Sequence, residues 1–216
     1  MKIKTKALVI IACAVMLVTV GIMGTIAYLT TSASVENTFT VGKVEITLDE
    51  AKVDENGKAL TGDKAKRVKE NTYNILPGCE YDKDPTVTVK AGSAKCYVRL
   101  KITFTQAEAF LEGASQKGTP ITGTSDAWSS NIDDASYDDE KGTCTFYSYY
   151  ESAVEPSDTD TVLPAVFTGF AIPDYLTEEQ YKALNGLTIT VRAEAIQAEG
   201  FDTEKEAWDA FDAQNK

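Results

Sequence analysis

An antiparallel β-sandwich carrying short accessory helices, and preceded by an N-terminal export signal, is the all-β fold class that three features of the sequence predict. Apolar and polar residues alternate with period two from Thr38 onward, turn-forming dipeptides interrupt the alternation at short intervals, and a long apolar run opens the chain. With 216 residues there is room for one domain with its own core, and 43% hydrophobic content excludes a wholly disordered polymer. The expected organisation is a signal peptide over residues 1–27, a linker and candidate donor strand over 28–42, and a sandwich domain with a C-terminal helix over 43–216.

The N-terminal segment sets three lysines, Lys2, Lys4 and Lys6, ahead of an uncharged, largely apolar run from Ala7 to Leu29. Lysines stay on the cytoplasmic side, so whatever follows is delivered outside. Small residues near Thr25 and Ala27 suit a signal peptidase, which places cleavage at Ala27 or Tyr28; uncut, the same run is long enough to anchor the chain in a bilayer. Ile10-Ile11-Ala12-Cys13 has lipobox residue types, but the apolar run continues well past Cys13, so that cysteine reads as part of the signal core.

Next comes Leu29 to Val41, rich in Thr, Ser and Asn, with Val35, Asn37, Phe39 and Val41 on one side of an extended strand. Gly42 suits a bend where this segment joins the sheet. Val44, Ile46 and Leu48 then alternate with Lys43, Glu45 and Thr47. The clearest strand is Cys96, Val98, Leu100, Ile102 and Phe104 against Tyr97, Arg99, Lys101 and Thr103, and Leu187 to Ala195 repeats its pattern. Weaker strand signals cover Thr86 to Lys90, Thr143 to Tyr150 and Ala165 to Ile172. Pro77-Gly78 suits a type II turn. The polar runs Asp49 to Glu70 and Ser129 to Glu140 read as solvated surface loops. Asp133, Asp134, Asp138 and Asp139 could hold Ca²⁺, although their spacing matches no EF-hand.

Helices are expected at two capping boxes. Thr177-Glu178-Glu179-Gln180 opens one that Gly186 ends, and Thr203-Glu204-Lys205-Glu206 opens another with Trp208 and Phe211 on one face. Gln106 to Glu112 is a third candidate. Trp128, Tyr137, Tyr147, Tyr149 and Tyr150 form either a ligand platform or, as aromatic strand faces more often do, internal packing.

Histidine is absent from the sequence, which removes the usual base of nucleophilic triads and the usual ligand of zinc sites. No catalytic residue, cofactor or metal is expected, and the chain reads as a non-enzyme. Without residues 1–27 the charged side chains number 18 basic and 33 acidic, a net charge of −15, which repels nucleic acid and anionic lipid. Cys79, Cys96 and Cys144 would remain after cleavage, an odd number that supports at most one bridge within a chain.

Between Gly24 and Leu48 the sequence GTIAYLTTSASVENTFTVGKVEITL resembles the start of the TasA and camelysin family, with Asn37, Thr38, Phe39 and Gly42 matching its N-T-F-x-x-G motif. Ile75-Leu76-Pro77-Gly78, Lys83-Asp84-Pro85, the strand Cys96 to Phe104 and Val191 to Gln197 resemble later family segments in the same order. The resemblance implies a jelly-roll-like sandwich, processing by a dedicated signal peptidase and assembly into extracellular fibres.

The leading expectation is therefore a secreted structural subunit of biofilm-matrix fibres at a bacterial surface, joined by strand addition through Leu29, Val35, Asn37, Phe39, Val41 and Gly42. Its partners would be further copies of itself and a minor anchoring or matrix protein, with no nucleic acid and membrane contact only through an uncleaved signal. A cell-surface binding module for a glycan or host protein is the alternative, and a peptidase of the camelysin type ranks last.

Overall fold

A computed structural model of the chain describes residues 30–33, 44–109, 120–130 and 135–215. The apolar N-terminal run, the processing positions Ala27 and Tyr28, and Leu29, Val35, Asn37, Phe39, Val41 and Gly42 lie outside those residues, as do Asp133 and Asp134.

In chain order the strands are β1 (Thr30–Ala33), β2 (Ile46–Ala51), β3 (Arg67–Val68), β4 (Glu80–Asp82), β5 (Thr86–Val89), β6 (Cys96–Phe104) and β7 (Ile121–Thr122). They continue as β8 (Trp128–Ser130), β9 (Ser136–Asp138), β10 (Thr143–Tyr150), β11 (Thr161–Val162), β12 (Gly169–Ala171) and β13 (Ile189–Gln197). One sheet runs β1-β13-β6-β10-β8 with β9 also on β10, a second runs β11-β5-β2-β3, and a third runs β4-β12-β7. The pairings are antiparallel, and the fold is all-β and sandwich-like.

Alternation explains where the core sits. Cys96, Val98, Leu100, Ile102 and Phe104 of β6 point inward and are at most 1% exposed, while Ile46, Val87 and Val89 enter the same core from the second sheet. Opposite Leu100 and Val98, β13 places Ala193 and Ala195, small residues that let the sheets close. Fully burying each Val, Leu, Ile or Phe contributes about 1.5–3 kcal/mol.

Three expectations change. Only Gly169–Ala171 of the Ala165 to Ile172 run is strand. Val166 and Phe167 are buried in irregular backbone, so that part of the apolar signal records core filling and not strand pairing. The Asp49 to Glu70 run is no loose loop. Arg67 donates through Nε to Asp49 Oδ1 (2.7 Å) and through Nη1 to Asp84 Oδ2 (2.5 Å), and its Nη2 reaches the carbonyls of both aspartates. Beneath it, buried Glu50 accepts from Lys83 Nζ (2.5 Å) and Asn71 Nδ2 (2.9 Å). Charge pairing thus orders a polar stretch that hydropathy alone marks as solvated. The Ser129 to Glu140 run likewise supplies β8 and β9, which both hydrogen-bond to β10.

The capping boxes lie where expected. Helix α1 (Glu178–Ala183) is capped by Thr177, whose Oγ1 accepts from Gln180 N while Gln180 Oε1 accepts from Thr177 N. Helix α2 (Glu204–Gln214) is capped by Thr203 Oγ1, but the Glu206 carboxylate turns to Asp202 N instead of completing the box. Of the third candidate, Ala107 to Ala109 is helical and the remainder lies outside the described residues. Gly78 has φ +74° and Cys79 N donates to Leu76 O (3.3 Å), as a type II turn at Pro77-Gly78 requires.

Candidate functional site: the N-terminal strand and its sheet edge

β1 belongs to the segment expected to act in assembly, and the structure places it on the edge of the largest sheet. Thr30, Thr31, Ser32 and Ala33 pair with Ile196, Ala195, Glu194 and Ala193 of β13. On its other side β13 pairs with β6 at all nine of its positions. Among the described residues the pairing covers Ala193 to Ile196, and Ile189 to Arg192 precede it on β13.

Those residues line one wall of an open groove of about 1240 Å³, whose other walls come from β2, residues 69–75 and the C-terminal end of α1. Tyr73 Oη donates to Asp82 O (2.9 Å) and Tyr181 Oη donates to Ile75 O (2.7 Å). Burial, and then the Glu50 charge, hold the Tyr73 phenol well above its ordinary pKa. These groups are spent on internal bonds, and they set up no nucleophile and base pair.

Behind the β1–β13 pairing stands a buried cation. Arg99 projects from β6 away from the main core and is 1% exposed, because α2 lies over it. Its Nε donates to Glu194 Oε2 (2.8 Å), and Nη1 and Nη2 donate to the two oxygens of Asp212 on α2. The guanidinium also stacks on Tyr147, Trp208 and Phe211 at 4.3, 4.4 and 5.1 Å from the ring centroids. Burial alone would lower its pKa, but the bonds to Asp212 and Glu194 outweigh that and raise it. Ile196, Ala207, Trp208 and Phe211 complete a small second core around it. Trp208 and Phe211, expected on one face of this helix, turn that face to the sheet and to Arg99. The sequence signal for Arg99 was an arginine in mid-strand with a glutamate at the matching point of a second strong strand.

The remaining candidates separate. Trp128 is buried, meets Tyr150 edge to face and donates from Nε1 to Pro164 O (2.8 Å), while Tyr147 and Tyr149 pack near Arg99 and α2. Tyr137, 61% exposed, stands apart, so the five aromatics form no common platform. Asp138 binds Lys141 Nζ (2.6 Å), which holds its carboxyl below the usual range. No group of three or more potential metal-ligating side chains occurs among the described residues. Cys79, Cys96 and Cys144 are free thiols.

What the fold defines is an all-β, sandwich-like protein whose sheet edge is closed by a strand from near its N-terminus. Compared with protein-family models, curated proteins and solved structures, the chain finds no match.

Proposed function

We propose that this chain is a secreted, non-catalytic structural subunit of extracellular biofilm-matrix fibres, in which the N-terminal strand of one subunit pairs with the sheet edge of the next. The observation that carries this reading is the antiparallel pairing of Thr30–Ala33 with β13. Because that strand is short, terminal to the domain and bound by main-chain hydrogen bonds, its place on β13 can be taken by the same segment of another copy with the same bonds. An edge left open recruits a strand, and a head-to-tail exchange does not close on itself, so it propagates as a filament. Supporting sequence features are the basic, then apolar N-terminus, the absence of histidine and the ordered motifs resembling the TasA and camelysin family. On this reading export precedes assembly, and removal of the apolar run near Ala27 or Tyr28 frees the strand. The partners are further copies and a minor anchoring protein.

The reading is tested by N-terminal sequencing and electron microscopy of protein recovered from the medium. Chains beginning within a few residues of Tyr28 and forming filaments are expected. A full-length form confined to the membrane, with no filaments, would contradict it.

A further inference from the structure

Strand alternation carries two charged side chains inward where the second and third sheets meet. On β2, Glu50 lies four residues after Ile46, on the same face, and both are buried. Lys83 follows buried Tyr81 by two residues, and its backbone N donates to Thr168 O (3.1 Å), which extends the β4–β12 ladder and turns Lys83 to the same side as Tyr81. Asp82 and Asp84, on either side of it, hold Lys58 and Arg67. Lys83 Nζ instead meets Glu50 Oε2 at 2.5 Å, and the two side chains are only 10% and 6% exposed.

The other oxygen of that carboxylate accepts from Asn71 Nδ2 (2.9 Å). Asn71 is fixed through both ends of its amide: Nδ2 also donates to Ala51 O (2.8 Å), and Oδ1 accepts from Val53 N (3.1 Å). One buried carboxylate therefore holds a primary amine on one oxygen and a primary carboxamide on the other, and a backbone N–H is aimed at the carboxamide oxygen. A salt bridge needs only the first two groups. Amine, carboxamide, carboxylate and N–H together are the parts of an acyl transfer.

We propose that Lys83 and Asn71 become joined by an amide between Lys83 Nζ and Asn71 Cγ, formed by the chain on itself with Glu50 as proton carrier. Glu50 takes one proton from the Lys83 ammonium, and the freed amine lone pair attacks Asn71 Cγ. The carbonyl π pair moves onto Oδ1, where the Val53 N–H stabilises the negative charge. Glu50 hands its proton to Nδ2 and takes a second from the attacking nitrogen. The Cγ–Nδ2 bond breaks with its electron pair on nitrogen, and ammonia leaves through the open groove that Glu50, Asn71 and Lys83 line. The third lysine proton stays on the new amide. Two charges screened from water are thereby replaced by neutral groups, and the step consumes no oxidant or cofactor. As a carboxylate Glu50 itself resists attack, which leaves Asn71 as the acyl group.

The bond closes a ring from the stretch after β3 to the end of β4, through Pro77-Gly78 and Cys79. It restricts the unfolded chain as a disulfide does, in a protein whose Cys79, Cys96 and Cys144 are free thiols. It lies within one subunit and stands whether or not subunits polymerise.

The test is mass spectrometry of the full chain, kept folded, then denatured and digested with trypsin. Acylated Lys83 resists trypsin, so the expected product is one peptide from Glu70 to Lys90, lighter than its sequence by one ammonia. Cutting it again with chymotrypsin after Tyr73 or Tyr81 should leave the pieces joined. Glu50→Gln should lower the bridged fraction at least tenfold. Lys83→Arg, which keeps a cation for Glu50, should fold with no bridge and melt below the wild type. A wild-type peptide of full mass would overturn the proposal, as would bridging undiminished in Glu50→Gln. So would loss of one ammonia with Lys83 still cleaved, which marks ring closure of Asn71 on its own backbone, or loss of one water, which marks a bond to Glu50.

Discussion

The two edges of the largest sheet are closed in different ways. On the β10 side, β8 and β9 come from the preceding stretch of chain, take up six of the eight β10 positions, and are pinned by buried Trp128 with its bond to Pro164. On the β13 side, closure comes from β1, which arrives from far earlier in the chain and, among the described residues, pairs at Ala193 to Ile196. A strand that is local and side-chain-anchored is a permanent part of the fold. A strand that comes from a distant part of the chain is less tied to its sheet by neighbouring residues, and on the proposed reading that difference separates a structural edge from an assembly edge.

The first way to break the comparison is Trp128→Ala, which removes the anchor of the β10 edge. A loss of about 3–5 kcal/mol is expected from the cavity and the orphaned Pro164 carbonyl, read as a lower denaturant midpoint. If the loss were within 0.5 kcal/mol, the β10 edge would be no better anchored than the other. Arg99→Met tests the support behind β13. Leaving Glu194 buried without its cation should cost about 3 kcal/mol, and Arg99→Met with Glu194→Met should recover a large part of it. Additive losses in that double-mutant cycle would show that the pair does not act as a unit.

Thiol labelling sharpens the comparison. Cys144 lies opposite Tyr137 of β9, Cys96 sits in β6 opposite Gln197 of β13, and both are buried, whereas Cys79 is partly exposed. Iodoacetamide at neutral pH should modify Cys79 and spare the other two; rapid modification of Cys144 would mean that the β9 edge opens readily. Burial pushes the Cys96 thiol up to about 12 from 9.0. Its folded pKa is the higher one, so this contribution to stability is intact below about pH 9 and is lost as pH rises toward 12. Urea midpoints at pH 8 and pH 11 should therefore fall in the wild type and fall less in Cys96→Ala. The smallest effect is expected outside both edges, at the α1 cap, where Thr177→Ala should cost about 1 kcal/mol in a melting experiment.

Long, one-sided strands were the legible part of this fold. β6 buries five alternating side chains against one core and β13 buries Ala193 and Ala195 there with Ile189 and Val191 partly buried beside them, and the Thr177 and Thr203 caps are set by local backbone donors, so neighbouring residues suffice to find them. β8 and β9 were hidden because Trp128–Ser130 and Ser136–Asp138 are too short and too polar to alternate, and their partner β10 supplies the pattern. The Asp49 to Glu70 stretch was misread for a related reason: its order comes from Arg67 and Lys83 meeting Asp49, Asp84 and Glu50, and those pairings are set by register, not composition. At the candidate site the segment was visible as a strand-former of mixed polarity, but the β13 edge that receives Thr30–Ala33 was not, since open and covered edges have the same residues.

Deleting Leu29 to Glu36 downstream of an intact cleavage site tests the assembly claim most directly, with the products compared by sedimentation and electron microscopy. Folded monomers that do not elongate, and that regain filaments when a peptide spanning Leu29 to Val41 is fused back at the N-terminus, are the predicted result. Filaments of undiminished length and number from the truncated chain would contradict the account.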